Sequence, residues 1–202
     1  MMKKNELRFL EVKRDHPLRA RVEACIKSVY AKEYGANLTD FPELLVALID
    51  EKGEPACAAG LRFSDEGFFS EHYLPQPINR LLDRVWASPV RRGQIGEITS
   101  LAGAKPGVSL LLIKHIVALL RQRSLTWAFF TATERLRAVL RRSGVPVLDI
   151  GQASAECVDQ PGQWGGYYDT NPRVVAVHDN MLSIVSPADL PLGQKDGVAI
   201  SA

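Results

Sequence analysis

Cysteine and histidine are scarce, at three and four residues in a chain of 202. Cys25, Cys57 and Cys157 are odd in number and lack metal-ligand spacing, so neither a disulfide framework nor a zinc site is expected. No Ser-His-Asp order, nucleotide P-loop or His/Cys ligand set is present, which weakens hydrolase and metal-enzyme readings. Long apolar runs are also missing. The richest, Leu110–Leu120, is interrupted by Lys114 and His115 and is too short to span a bilayer. Residues 1–14 are charged throughout and contain no apolar signal region. A cytoplasmic, reducing setting without stable membrane insertion is therefore expected. The net charge is only +2, too small to argue for nucleic acid as a partner.

What is present suits one globular domain. The chain is 46% apolar with 12 prolines, enough to build a core. Residues 1–186 are read as a single domain, and the polar, glycine-containing segment 187–202 as a flexible tail. Basic residues cluster at Arg121, Arg123, Arg135, Arg137, Arg141 and Arg142. They read either as solvated helix faces or as a patch that meets phosphates or an acidic carrier.

Periodicity and turn residues divide the chain into elements. Leu7–Val12 alternates as a strand. Pro17 opens a helix whose apolar face is Leu18, Val22, Cys25, Ile26 and Val29, with Asp15 and His16 as cap candidates and Gly35 as its left-handed end. Leu44–Asp50 and Pro55–Phe63 form a hairpin. Gly67–Tyr73 reads as a further strand, and Ile78–Trp86 as a short helix with Leu81, Leu82 and Val85 inward. Strands at Gln94–Leu101, Thr126–Thr131 and Pro146–Ile150 alternate with helices at Val108–Arg123 and Thr133–Ser143, a passage that calls for parallel pairing. Gly162–Tyr168 is a glycine/aromatic loop, and Arg173–His178 reads as an alternating strand, the last of the sheet. The class is α+β, with a mixed central sheet and helices on both faces.

The chemistry centres on Gly93–Leu120, where a strand bearing Glu97 runs through a Gly/Pro loop into a helix start. A glycine loop at a helix N-terminus suits a phosphate or a thioester arm. Pro106 removes one backbone donor from that loop. Acyl transfer from a thioester to an amine needs a base, oxyanion donors and a protonated leaving group. Glu97 is the base candidate if it stands in a partly dry cleft; the alternative is a surface or salt-bridged strand residue. Ser109 reads first as a helix cap and second as a phosphate ligand. Arg62 is placed to orient an anionic acceptor, or else to pair with Glu71 or Glu97. His72 lies near the expected cleft, whereas His115 reads as a packed mid-helix residue. Trp164, Tyr167 and Tyr168 read as an aromatic wall or a core cap.

The order of these pieces resembles the GNAT-like N-acetyltransferase fold, and more closely the thermostable hemolysin family. The residues that carry the likeness are Tyr34-Gly35-Ala36, Ala59-Gly60-Leu61-Arg62, Glu71-His72-Tyr73-Leu74, Glu97-Ile98-Thr99-Ser100-Leu101-Ala102, Trp127 with Phe130-Thr131-Ala132-Thr133, and Trp164-Gly165-Gly166-Tyr167-Tyr168. A weaker similarity is to the acyl-homoserine-lactone synthases, from which the chain departs at Ser100, where that family's run has arginine. The resemblance implies an acyl group donated by acyl-CoA or an acyl carrier protein phosphopantetheine thioester to a small amine, with no metal. It implies Glu97 and the strand splay at Ser100 as the catalytic positions. Donor contacts are implied at Leu101, Gly103, Lys105, Gly107, Val108, Ser109 and Thr131. Acceptor contacts are implied at Arg62, Glu71, Tyr73, Trp127, Trp164 and Tyr167. A homodimer fits such domains. The competing implications are a membrane-active hemolysin and a catalytically inactive GNAT-like binding domain.

Overall fold

The structure, a computed structural model, describes residues 7–103 and 107–181. Its centre is a seven-stranded sheet in the order β1-β2-β3-β4-β5-β7-β6. The strands are β1 (Arg8–Val12), β2 (Leu44–Ile49), β3 (Pro55–Arg62), β4 (Ile95–Gly103), β5 (Trp127–Ala132), β6 (Leu148–Gln152) and β7 (Arg173–His178). The helices are α1 (Arg19–Tyr34), α2 (Ile78–Leu82), α3 (Val108–Gln122) and α4 (Glu134–Arg142). All adjacent strands pair antiparallel except β4 and β5.

The continuous apolar run of β2 has its reason in burial on both faces. Leu44, Val46 and Leu48 point into one core, while Leu45, Ala47 and Ile49 point into another. Leu112, Ile116 and Leu120 of α3, with Leu140 of α4, fill the first core against Leu61, Ile98 and Phe130. Val22, Ile26 and Tyr30 of α1 fill the second against Ala58 and Ala102. Further along that same sheet face, Phe68, Ile78 and Leu82 pack on Ile95, Trp127 and Phe129. Each fully buried Leu or Ile contributes about 1.5–3 kcal/mol relative to exposure. The helix α1 ends at Gly35, which takes the left-handed conformation at φ 68°. Its first residue, Arg19, is 7% exposed and donates to the carbonyls of Val12, Pro42 and Glu43 and to the Glu23 carboxylate. Those bonds tie the helix start to the ends of β1 and β2.

Three expectations are corrected. Gly67–Tyr73 is not a strand: Phe69–Tyr73 forms a 3-10 turn, entered through Gly67 at φ 79°. Its aromatic residues resemble a strand in composition, but the turn is held by long-range hydrogen bonds described below. The strand after α4 does not pair with β5, because β7 inserts between them. Burial explains the order: β7 is buried at five of its six positions and needs neighbours on both sides. The partly exposed Leu-Asp-Ile-Gly-Gln of β6 suits an edge. Helix α2 stops at Leu82, and Val85 is 60% exposed rather than inward. Among the described residues no helix is long and apolar enough to cross a membrane. The tail at 187–202 lies outside the described residues.

Candidate active site at a fork between parallel strands

Between Ala58 and Gly60, β3 advances two residues while the facing β4 advances three, from Thr99 to Ala102. The additional residue is Ser100, a non-glycine at φ 49°. One residue too many is a β-bulge, and it turns the bulged strand away from its other neighbour. The ladder between β4 and β5 accordingly ends at Ile98 opposite Phe130. Beyond that point Thr99–Gly103 still follows β3 but has no β5 residue opposite. The bulge also reverses which side chains face α1, so that Glu97 and Ala102, five positions apart, share one sheet face.

The fork opens into a cavity of about 1010 Å³. Thr99, Ser100, Leu101, Phe130 and Thr131 form its floor. One wall is aromatic, with Tyr30, Tyr34, Phe69, Tyr73, Trp164 and Tyr167. Tyr167 meets Tyr34 edge-on with ring centroids 5.3 Å apart, and Trp164 lies 5.5 Å from Phe69. The opposite wall is apolar with a charged rim: Leu110 and Ile113 of α3, and Leu136, Val139, Arg135 and Arg142 of α4. Arg135 and Arg142 are seven residues apart and share one face of α4. The α4 N-terminus is capped by Thr133, whose hydroxyl accepts from the Leu136 N–H at 3.2 Å.

Glu97 sits beneath this floor, not in it. It is fully buried, with its two carboxylate oxygens accepting from the Phe69 N–H at 2.7 Å and the Ser70 N–H at 2.6 Å. Those bonds pin the 3-10 turn to β4. Burial raises the carboxyl above its ordinary value, and the hydrogen bonds from Ser70 and Phe69 and the charge of Arg62 offset part of that rise. Ser70 is 2% exposed, and its hydroxyl lies 2.9 Å from that of Thr131. Arg62 stands opposite Glu97 in the β3–β4 register. Its terminal nitrogens reach Asp40 at 3.3 Å and Glu66 at 3.4 Å, not Glu71 or Glu97. Its Nε and the Thr99 hydroxyl are buried without a hydrogen-bond partner, and both residues line the cavity. Orphaned buried donors of this kind cost about 1–3 kcal/mol each and invite a ligand oxygen.

Of the other residues expected from sequence, Gly103, Gly107, Ser109 and Tyr73 line the cavity along with Arg62, Ser100, Leu101, Thr131, Trp164 and Tyr167. Ser109 is no cap: α3 has no side-chain cap, and the Ser109 hydroxyl turns toward β4. A Cβ at Gly103 would stand 2.2 Å from that oxygen, so glycine is what lets α3 approach the strand. Three expected contacts fall elsewhere. Glu71 is held by Arg92 through two bonds of 2.5 and 2.7 Å and accepts from the Ile78 N–H at 2.9 Å, which secures the start of α2. Trp127 is 2% exposed, enclosed by Trp86 and His178. Val108 packs on the α3 core. Lys105 lies outside the described residues.

The structure also narrows the chemistry. Burial pushes the Cys57 thiol up to about 12, so it is no nucleophile at neutral pH. Burial likewise raises the phenols of Tyr30, Tyr73 and Tyr167 above their ordinary 10, leaving them neutral. Among the described residues no cluster of His, Cys, Asp and Glu could hold a metal. The basic cluster is dispersed: Arg123 pairs with Glu11 and stacks over Phe63, Arg121 pairs with Asp179, and Arg137 binds the carbonyls of Ala132 and Asn171. Sequence reasoning missed Ser70, Thr99, Tyr30 and Asp40, none of which carries a local pattern.

A mixed seven-stranded sheet with helices on both faces and a fork between its two parallel strands is the GNAT-like acyltransferase fold. Solved structures share it at low identity. The AHL synthase LasI is 11% identical, with a TM-score of 0.61, over 94% of this chain and 98% of that one. FeeM, an N-acyl amino acid synthase from uncultured soil microbes, is 12% identical, with a TM-score of 0.55, over 88% and 94%. The CoA-dependent acyl-homoserine lactone synthase MesI is 14% identical, with a TM-score of 0.54, over 85% and 89%. Residues 12–181 match the family described as thermostable hemolysin, and the chain belongs to that family. No curated protein sequence matches it.

Proposed function

We propose that this chain is an N-acyltransferase that moves an acyl group from a thioester to a small amine. The observation that carries the reading is the fork itself: unladdered backbone at Ser100–Leu101 inside a cavity with one apolar and one aromatic wall. Backbone N–H groups there are the proposed oxyanion donors, a role worth roughly 10²–10³ in rate per donor. The acyl chain lies against Leu110, Ile113, Leu136 and Val139, and the donor's phosphates lie toward Gly107, Arg135 and Arg142. That rim suits either coenzyme A or a carrier-protein phosphopantetheine arm. The acceptor enters along the aromatic wall, where Arg62 Nε and the Thr99 hydroxyl meet its oxygen, as an amino-acid carboxylate supplies. Glu97 is the proposed final holder of the amine proton, although it cannot touch the amine. The names of the three neighbours, two AHL synthases and an N-acyl amino acid synthase, support this reading.

The test is thiol release from a panel of acyl-CoA and acyl-carrier thioesters against amino acids and simple amines. Release that requires the amine and is lost in Glu97→Gln is expected. No release with any pair, or equal release from the variant, would overturn the proposal.

A further inference from the structure

The acyl-transfer reading leaves a gap that the structure closes. Glu97 is fully buried and does not reach the cavity, yet an amine attacking at the fork must shed a proton. Thr131 is the first β5 residue past the last position paired with β4, Phe130, and so sits at the apex of the fork and lines the cavity. Its hydroxyl is 2.9 Å from that of Ser70. The Ser70 amide donates to Glu97 Oε1 at 2.6 Å, which sets the Ser70 side chain beside the carboxylate, and that side chain is among the groups that hold down the rise of the carboxyl.

The chemistry of these groups sets the direction of the chain. A carboxylate only accepts, so in a relay that ends on Glu97 the Ser70 hydroxyl is the donor. The Ser70 oxygen then accepts from the Thr131 hydroxyl, which leaves the Thr131 oxygen able to accept in turn. We infer that Thr131 takes the proton from the attacking amine and that Ser70 relays it to Glu97. The amine nitrogen bonds to the thioester carbon and its N–H proton passes to the Thr131 oxygen. The Thr131 proton moves to Ser70, and the Ser70 proton moves to Glu97. As the carbon–sulfur bond breaks, the same hydroxyls return one proton to the thiolate. Amide and thiol are the products, and the three side chains are restored. The groups facing Glu97 are Arg62 from β3, the Phe69 and Ser70 amides and Tyr73 from the 3-10 turn, and the uncharged Phe129 opposite it on β5. Of these, Arg62 has no acceptor for a proton, and the Tyr73 hydroxyl is bonded to that of Tyr168 at 2.8 Å.

This inference rests on the acyl-transfer reading, and the experiment separates the two. Thr131→Val, Thr131→Ser, Ser70→Ala and the Thr131→Val/Ser70→Ala double variant would be assayed for thiol release across pH, with melting curves to confirm folding. Loss of a positioned proton acceptor costs about 10²–10⁴ in rate. Thr131→Val should lose at least about 10²-fold in kcat together with the acid limb of its pH profile, and Thr131→Ser should recover most of it. The double variant should cost no more than the worse single one, because the hydroxyls act as a unit. A tether between turn and strand would instead lower stability and leave the pH profile in place. Infrared titration of the Glu97 carboxyl gives a readout without turnover: Ser70→Ala should move its midpoint upward, since a donor to the charged form is gone. Wild-type kcat in Thr131→Val, or an unmoved midpoint in Ser70→Ala, would overturn the relay. Absence of turnover in the wild type would remove acyl transfer, and the relay's catalytic role with it, whereas the titration would still decide whether the hydroxyls reach Glu97.

Discussion

Gly165 offers the sharpest test of how the aromatic wall is held. It adopts φ 52° and ψ −131°, a region open to glycine and strongly unfavourable for L side chains. A Cβ there would stand 2.1 Å from the Tyr34 carbonyl oxygen and 2.8 Å from the Gly35 carbonyl carbon. Both are backbone atoms at the end of α1 and cannot swing aside. For Gly165→Ala the backbone strain alone is about 1–3 kcal/mol. Relieving the clash means lifting the segment that carries Trp164 and Tyr167. Tyr167 is 5% exposed, and partial loss of its burial adds up to about 2 kcal/mol. The total is roughly 1–5 kcal/mol, which for a chain of this size lowers Tm by about 2–20 °C. Gly162 is the control, because a Cβ there meets nothing within 4 Å. Melting followed by circular dichroism, with Trp emission for the wall, reads both variants. A Gly165→Ala protein melting with the wild type, or a Gly162→Ala protein falling as far, would refute the argument.

Three further outcomes follow from buried polar groups. Arg19→Ala removes the donor to three carbonyls and leaves them without that partner; a loss of about 3–5 kcal/mol in urea unfolding is expected, and a change below 1 kcal/mol would contradict the network. With a thiol reagent at neutral pH, exposed Cys157 should react first and Cys57, buried and pushed up to about 12, only on unfolding; rapid labelling of Cys57→Ser and wild type to different extents would contradict this. Glu97 should make stability fall as pH rises. Its native carboxyl lies above the ordinary 4.5, so its contribution is complete below 4.5 and is lost as pH climbs through the native value. Glu97→Gln abolishes that slope, so the variant should gain on wild type with rising pH, by no more than about 1.4 kcal/mol per pH unit. Parallel pH–stability curves would refute it.

Much of the scaffold was readable in the chain. The two-sided apolar run of β2, the helix end at Gly35 and the amphipathic α4 leave local patterns, because burial follows the period of each element. The reading of Arg173–His178 as alternating is corrected: Val174–Val177 is apolar without alternation and buried on both faces, which marks β7 as an inner strand, whereas Leu148–Gln152 is only partly apolar. The turn at Phe69–Tyr73 could not be read from a local pattern. It is fixed by Glu97, 27 and 28 residues away, and no periodicity records such a bond.

The site divides along the same line. From sequence alone came the acid on its strand, the glycines before α3, and the aromatic run that forms one wall, because residue type and local spacing suffice for those. The tertiary structure decided that Glu97 is sealed beneath the floor, that Trp127 is core and Glu71 a clasp on α2, and that Arg62 faces Asp40 and Glu66. It also decided that Thr131 and Ser70, 61 residues apart, stand together at the fork. The reason is the bulge at Ser100: one additional residue sets where two strands part, and everything that meets there comes from distant parts of the chain.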